Sequence, residues 1–260
     1  MKTALALSLL FFTSSALAAV VGKDVSYKAG DTVMKGYLAF DDAVKGKRAG
    51  VLVVPEWWGA NDYARKRAHM LASEGYVALV VDMYGNGQIA DNPQEAGALA
   101  GNVNKNPPLA LSRFQAAEKF LGNQSNVKKD QIAALGYCFG GGVVLNMARA
   151  GEPLKSVVSY HGVLATDVAV KPGAIKAKLR IFHGEADSVV PPAQVEAFKA
   201  EMDNAQADYM LVAYPGVKHT FTNREADSYA AQFNLPLKYD NAADKDSWTR
   251  TLEFLKATLQ

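Results

Sequence analysis

The sequence predicts an α/β protein: a mostly parallel central sheet with helices on both faces and an antiparallel hairpin at its start. Three observations carry that expectation. Short apolar runs alternate with helical patterns along most of the 260 residues, the signature of repeated strand-helix units. Several runs are continuous rather than alternating, as strands covered on both faces require. Ahead of them, DVSYKAGDTVMKGYLAF (Asp24 to Phe40) reads as two strands around an Ala29-Gly30-Asp31 turn.

The elements follow in order. Strands are expected at Gly50–Val54, Tyr76–Val81, Ile132–Leu135, Ser156–Tyr160, Leu179–Phe182 and Tyr209–Ala213. The first helix follows Asn61-Asp62 as cap, with Ala64, Ala68, Leu71 and Ala72 on one face and Gly75 as terminator. Further helices are expected over Leu109–Leu121, Gly141–Ala150, Pro192–Asp203 and Ala242–Thr258. Between them, residues 85–108 are polar, rich in Gly and Pro and weakly patterned, which suggests a lid or surface loop at a strand end. No repeat, charge block or linker divides the chain, so residues 19–260 are expected to form one domain.

Composition narrows the function classes. At 49% apolar and 21% charged the chain can build a core without staples. The near-balance of 28 Lys and Arg against 26 Asp and Glu offers nothing to a nucleic acid or to an acidic surface. Its four histidines (His69, His161, His183, His219) lack ligand spacing, so neither a metal nor another cofactor is expected. The only cysteine, Cys138, cannot form an internal disulfide; it is either a small buried hydrophobe or a working thiol.

Its neighbours favour the second role. Gly136-Tyr137-Cys138-Phe139-Gly140 lies between a strand and a helix and matches the G-x-S-x-G elbow with sulfur for oxygen. Glycines there make room for a sharp turn, and the following helix aims its N-terminal amides at a developing oxyanion or thiolate. A nucleophilic thiol also needs a base and a group to orient it, supplied in elbow hydrolases in the order nucleophile, acid, histidine. Asp187 follows the strand LRIF, and His219 follows the strand YMLVAY, each at a strand's carboxyl end. His161, at another strand end, is a candidate for the pocket wall; His183 closes the strand before Asp187 and is expected to be structural.

With these residues in view the sequence resembles the dienelactone hydrolase family of α/β-hydrolases. The matching segments are Glu56-Trp57-Trp58-Gly59, Asp82-Met83-Tyr84-Gly85, Gly136 to Gly141, His183 to Asp187 and Gly216 to Phe221. The resemblance implies Cys138 as nucleophile, His219 as base and Asp187 as its orienter. It also implies an oxyanion hole from the N–H groups of Trp57 and Phe139. Glu56 would approach the thiol, keep it protonated at rest and take its proton when substrate arrives. Trp58, Tyr84, Asn86, His161 and Asn223 are the expected substrate pocket. The founding members carry arginines two residues after the Tyr of D-x-Y and four after the catalytic His, gripping a substrate carboxylate. Here Asn86 and Asn223 stand in those places, with Arg224 one position away.

The expected activity is therefore hydrolysis of neutral carboxylic esters or lactones through an acyl-enzyme, by a monomer whose partner is a small molecule. Two other readings use the same fold: an acyltransferase, in which an alcohol or amine replaces water, and a secreted binding protein without catalysis. The first 18 residues, MKTALALSLLFFTSSALA, pair Lys2 with an apolar run too short to span a membrane and an Ala-Leu-Ala ending, as a secretory leader does. Export to the periplasm or medium is expected, with no membrane attachment after cleavage. Intact-mass measurement on such a fraction should give a chain beginning at Ala19; a cytoplasmic protein retaining Met1 to Ala18 would contradict it.

Overall fold

The computed structural model describes residues 20–166 and 170–259; the expected leader, residues 1–18, lies outside the described residues. Strands β1 (Val20–Ala29) and β2 (Thr32–Asp41) pair antiparallel across the Gly30-Asp31 turn, and β2 pairs antiparallel with β4 (Val77–Val80). From there the sheet is parallel. Together with β3 (Arg48–Val54), β5 (Val127–Tyr137), β6 (Ser156–Tyr160), β7 (Lys178–Gly184) and β8 (Tyr209–Tyr214), the eight strands run in the order β1-β2-β4-β3-β5-β6-β7-β8.

Both faces are covered, which explains the continuous apolar runs. Leu52 and Val54 of β3 point into a core shared with α3 (Pro107–Gly122), α4 (Phe139–Arg149) and α5 (Pro192–Asn204), through Phe114, Val144 and Phe198 among others. Their neighbours Val51 and Val53 point the other way, into a core closed by α1 (Asp62–Ser73) and α7 (Asn241–Thr258) through Ala64, Ala68, Leu71 and Leu255. Asn61 caps α1 by accepting the Ala64 N–H at 3.3 Å.

Two helices depart from the sequence expectation. Residues 85–108 are not an unstructured lid: they contain α2 (Pro93–Asn104), capped by Asn92 on the Glu95 N–H at 2.9 Å and packed through Ala96, Ala100 and Val103. Gly97 and Gly101 weaken its helical pattern, while Asn92-Pro93 and Glu95 mark its start. The second, α6 (Ala226–Phe233), is a short helix with a single fully buried residue, Ala226, too little apolar periodicity to announce itself.

The junction of β5 and α4 admits only glycine at two places. A methyl group on Gly136 would overlap the Gly140 carbonyl, and one on Gly140 would overlap the Val54 carbonyl. The Gly140 N–H donates to Pro55 O at 3.1 Å, so helix and strand-end loop are stitched together at that close approach. Gly140→Ala should therefore cost about 2–4 kcal/mol in urea unfolding, through forced backbone displacement. Gly97→Ala, in open space on α2, should instead stabilise by about 0.5–1 kcal/mol. Equal midpoints for the two variants would contradict this account of the junction.

Candidate active site

The residues singled out in the sequence gather at the carboxyl ends of the parallel strands, where open α/β sheets place their ligand crevices. Glu56 and Trp57 follow β3, Tyr84 and Asn86 follow β4, Cys138 ends β5, His161 follows β6, Asp187 follows β7 and His219 follows β8. Cys138 occupies the cap position of α4 with φ 52° and ψ −115°, a conformation that non-glycine residues adopt only under constraint. It remains partly exposed.

Asp187 and His219 form a buried pair. The Nδ1–H of His219 donates to Asp187 Oδ2 at 2.6 Å, and Asp187 Oδ1 accepts the Val189 and Val190 amides at 2.8 and 3.2 Å. That network fixes the tautomer and leaves Nε2 free to accept a proton. Nε2 is buried and has no hydrogen-bond partner among the described residues, and Cys138 lies near enough to act on the charge of the ring. Burial opposes a charge on this ring, but an ionised Cys138 sulfur and the Asp187 carboxylate outweigh it and raise the His219 pKa, so the ring holds a proton once Cys138 has given one up. The loop is pinned by a bridge between His219 and Leu237, including the Lys238 N–H donated to His219 O at 3.1 Å.

Glu56 is also buried. Its Oε2 accepts the Asn223 Nδ2–H at 2.8 Å, and Oε1 has no partner among the described residues. Burial is the dominant influence and raises its pKa to about 7, against smaller opposing effects from Asn223, His219 and Arg67. No hydrogen bond joins Glu56 to Cys138 among the described residues. The neighbouring Trp57 carbonyl accepts the Tyr84 hydroxyl at 2.8 Å. Among the described residues, no backbone acceptor takes the N–H groups of Trp57 or Phe139.

The expected pocket wall is differently employed. Trp58 is almost wholly buried and stacks on Tyr229 of α6, ring centroids 4.7 Å apart. Asn223 is committed to Glu56. His161 has no exposed surface, so it does not line space open to substrate. Asn86 is exposed, at φ 59°, with its N–H on Val33 O at 2.7 Å, and makes none of the contacts that join the others. Arg224 faces the ring of Tyr239 at 6.0 Å, in a cation-π contact.

The sequence reading missed a buried arginine behind the site. Arg67 of α1 donates to the Thr222 carbonyl, to Asp244 and to the Tyr63 hydroxyl, clasping the loop that carries His219 and Asn223. Its signal is a cation between Ala64, Ala68 and Leu71 on an otherwise apolar helix face.

A parallel sheet with a strained strand-to-helix elbow and a histidine beyond its last strand defines an α/β-hydrolase. The profile of the Dienelactone hydrolase family matches residues 34–259, and the chain belongs to that family of hydrolases. A solved dienelactone hydrolase-like promiscuous phosphotriesterase from metagenomic libraries superposes with a TM-score of 0.88 at 31% identity, covering 93% of this chain and 100% of that one. A candidate carboxymethylenebutenolidase of Synechocystis is 26% identical over 86% of this chain and 92% of its own length. A candidate 2-oxo-3-(5-oxofuran-2-ylidene)propanoate lactonase of Bradyrhizobium is 27% identical over 82% and 85%.

The Glu56 carboxyl has a stability signature. Its folded pKa, about 7, lies above the ordinary 4.5, so the stabilisation of the protonated form is complete below about 4.5 and is lost as pH rises through 7. Glu56→Gln cannot ionise. Between pH 4.5 and 7 its stability should gain on wild type by up to roughly 3 kcal/mol and then run parallel. Urea unfolding across that range checks it, and a constant difference would show that Glu56 titrates normally.

Proposed function

We propose that the protein hydrolyses neutral carboxylic esters or lactones through a covalent Cys138 acyl-enzyme. The observation that carries this reading is the buried Asp187–His219 pair, whose second ring nitrogen has no partner among the described residues and whose charge is influenced by a nearby cysteine on a strained elbow. Cys138 Sγ attacks the carbonyl carbon as its proton passes to His219 Nε2. The tetrahedral oxyanion is received by the N–H groups of Trp57 and Phe139, and by the amino end of α4. Collapse expels the alcohol, which takes the proton from His219. A water then gives its proton to the same nitrogen, attacks the thioester, and releases acid and free thiol.

Asp187 keeps Nδ1 protonated throughout, so Nε2 alone handles protons. Sulfur suits this substrate class: an activated alkoxide or enolate leaves a thiol adduct readily, whereas an amine competes poorly with thiolate. Glu56, buried and poised near neutrality, serves as a proton reservoir beside the reaction rather than as a fixed charge. With Asn86 and Asn223 in the arginine positions, no bidentate cation awaits a substrate carboxylate; Asn223 is occupied by Glu56 and Arg224 by Tyr239. We place the reaction outside the cytoplasm on the strength of the leader sequence.

The test is a panel of p-nitrophenyl esters, neutral lactones and their carboxylated analogues, with an aryl dialkyl phosphate added because a relative is named a phosphotriesterase. Cys138→Ala, His219→Ala and the double variant should lose activity to a similar degree, on the order of 10³-fold or more, because the residues act as a unit. Iodoacetamide should abolish turnover, and neutral substrates should exceed anionic ones in kcat/KM. Full activity in Cys138→Ala would remove the mechanism; preference for the carboxylated analogue would overturn the substrate class; product transfer to an added alcohol in place of hydrolysis would make the protein an acyltransferase.

A further inference from the structure

We propose that His161 is a positioning residue that ties the nucleophile's backbone to the loop carrying the catalytic base. The inference rests on the Cys138–His219 reading and adds a part to it. The Cys138 N–H is shared between two acceptors: Tyr160 O at 3.0 Å, its ordinary partner in the sheet, and His161 Nδ1 at 3.1 Å. Since Nδ1 accepts, the ring proton sits on Nε2, and Nε2–H donates to Thr222 Oγ1 at 2.8 Å. Thr222 lies three residues beyond His219. A continuous line of hydrogen bonds thus runs from the elbow amide, through one imidazole, to the His219 loop, without passing through the reacting atoms.

The far end of that line is anchored. Thr222 Oγ1 also pairs with the Tyr63 hydroxyl at 2.6 Å, and the Thr222 carbonyl accepts from Arg67, itself held by Asp244. The ring of His161 stands edge-on to that of His219, centroids 5.2 Å apart, and to that of Phe221 at 5.1 Å, so it cannot rotate away. Both ring nitrogens are committed and no ring atom reaches solvent, which excludes a role as substrate contact or second base. Burial, reinforced by the charges on His219 and Arg67, also holds its pKa well below the ordinary 6.5, so the ring stays neutral and Nδ1 stays an acceptor.

The backbone points the same way. Cys138 (φ 52°), His161 (φ 39°) and Thr220 (φ 61°) are all non-glycine residues in the left-handed region, on the three segments that this line joins. Such conformations cost on the order of 1–3 kcal/mol each and persist only where surrounding contacts over-determine them. A glycine at 161 would relieve the strain there but would remove the ring that links elbow to loop.

Four variants split the proposal. His161→Asn places an amide oxygen where Nδ1 stands, keeping the elbow acceptor and losing Thr222; His161→Gln keeps the reach to Thr222 and loses the elbow. Thr222→Val cuts the line at its other end while leaving the Thr222 carbonyl to Arg67, and Thr222→Ser restores the hydroxyl. The first three should lower kcat for p-nitrophenyl acetate about 10- to 100-fold with KM changed less than about threefold, the size expected of sub-ångström misplacement of nucleophile and base. They should also slow iodoacetamide alkylation of Cys138 at neutral pH. Thr222→Ser should recover both, and His161→Asn with Thr222→Val should be no worse than Thr222→Val alone, since both remove the His161–Thr222 bond and only Thr222→Val also removes the bond to Tyr63.

Unchanged alkylation and kcat in Thr222→Val and the His161 variants would overturn the proposal, as would losses confined to KM or losses not rescued by Thr222→Ser. Should the His161 variants fail to fold, the Thr222→Val and Thr222→Ser pair decides alone. Alkylation needs no substrate, so it separates the two readings: a wild type that turns over no ester but shows variant-sensitive alkylation would sink the proposed function and keep the tether.

Discussion

The constraint on which the rest depends is the reversal of the chain at Cys138. A parallel strand must end, turn and start a helix within a residue, with the turning residue exposed and its flanks pressed against neighbouring backbone. Two glycines make that geometrically possible, at Gly136 against the Gly140 carbonyl and at Gly140 against the Val54 carbonyl. The left-handed backbone of Cys138 is the residual strain. In return the sulfur stands at the amino end of α4, where unpaired amides favour negative charge. Everything else at the carboxyl ends of β3 to β8 is arranged around a point fixed by backbone packing rather than by side-chain choice.

Around that point lies an unusual density of buried ionisable groups: Glu56, Arg67, Asp187, His161 and His219 are each less than a tenth exposed. Burying one charge alone is prohibitive, so the groups must be read together. Asp187 is compensated by two amides and an imidazole, and Arg67 by Asp244 and a carbonyl. Both are fully engaged and act as structural charges. Among the described residues, Glu56 keeps one oxygen without a partner, and His219 keeps one nitrogen. The two incompletely satisfied groups are the ones whose protonation can change at little structural cost; one follows β3, next to the strand that ends at Cys138, and the other follows β8 at the edge of the sheet.

Much of this was legible in the sequence, for reasons that differ residue by residue. The strand ends carrying Cys138, Asp187 and His219 could be located because each follows an apolar run, and the elbow announces itself through glycine. Glu56 came into view only through likeness to a family; an acid beside two tryptophans has no local pattern of its own. The helix α2 was recoverable from its Asn-Pro-x-Glu start, yet Gly97 and Gly101 blurred its periodicity. The Arg67 network was out of reach, since its partners Thr222 and Asp244 lie 155 and 177 residues away. Long-range polar pairing leaves no period in a sequence, whereas burial of a sheet face does. His161 stood at a strand end like the others, and the same position yields a pocket wall or a buried brace depending on which way a ring turns.

In the proposed reaction, Asn223 sets both charge and specificity with one side chain. In the position where the founding members of the family hold a carboxylate with arginine, this chain has a neutral amide that hydrogen-bonds Glu56. An amide gives one dipolar contact; a guanidinium would bring a full positive charge into the same dry space. The electrostatic balance at Glu56 is decided by burial, with Asn223 only partly offsetting it. A guanidinium so near would reverse that balance and hold the carboxyl ionised. The neutral amide therefore does two things that cannot be separated: it removes the cation that an anionic substrate would seek, and it leaves Glu56 able to take up or release a proton near neutral pH. In the proposed reaction, substrate charge and the protonation chemistry beside Cys138 are thus coupled through a single position, so a change of specificity there would also change how the thiol is managed.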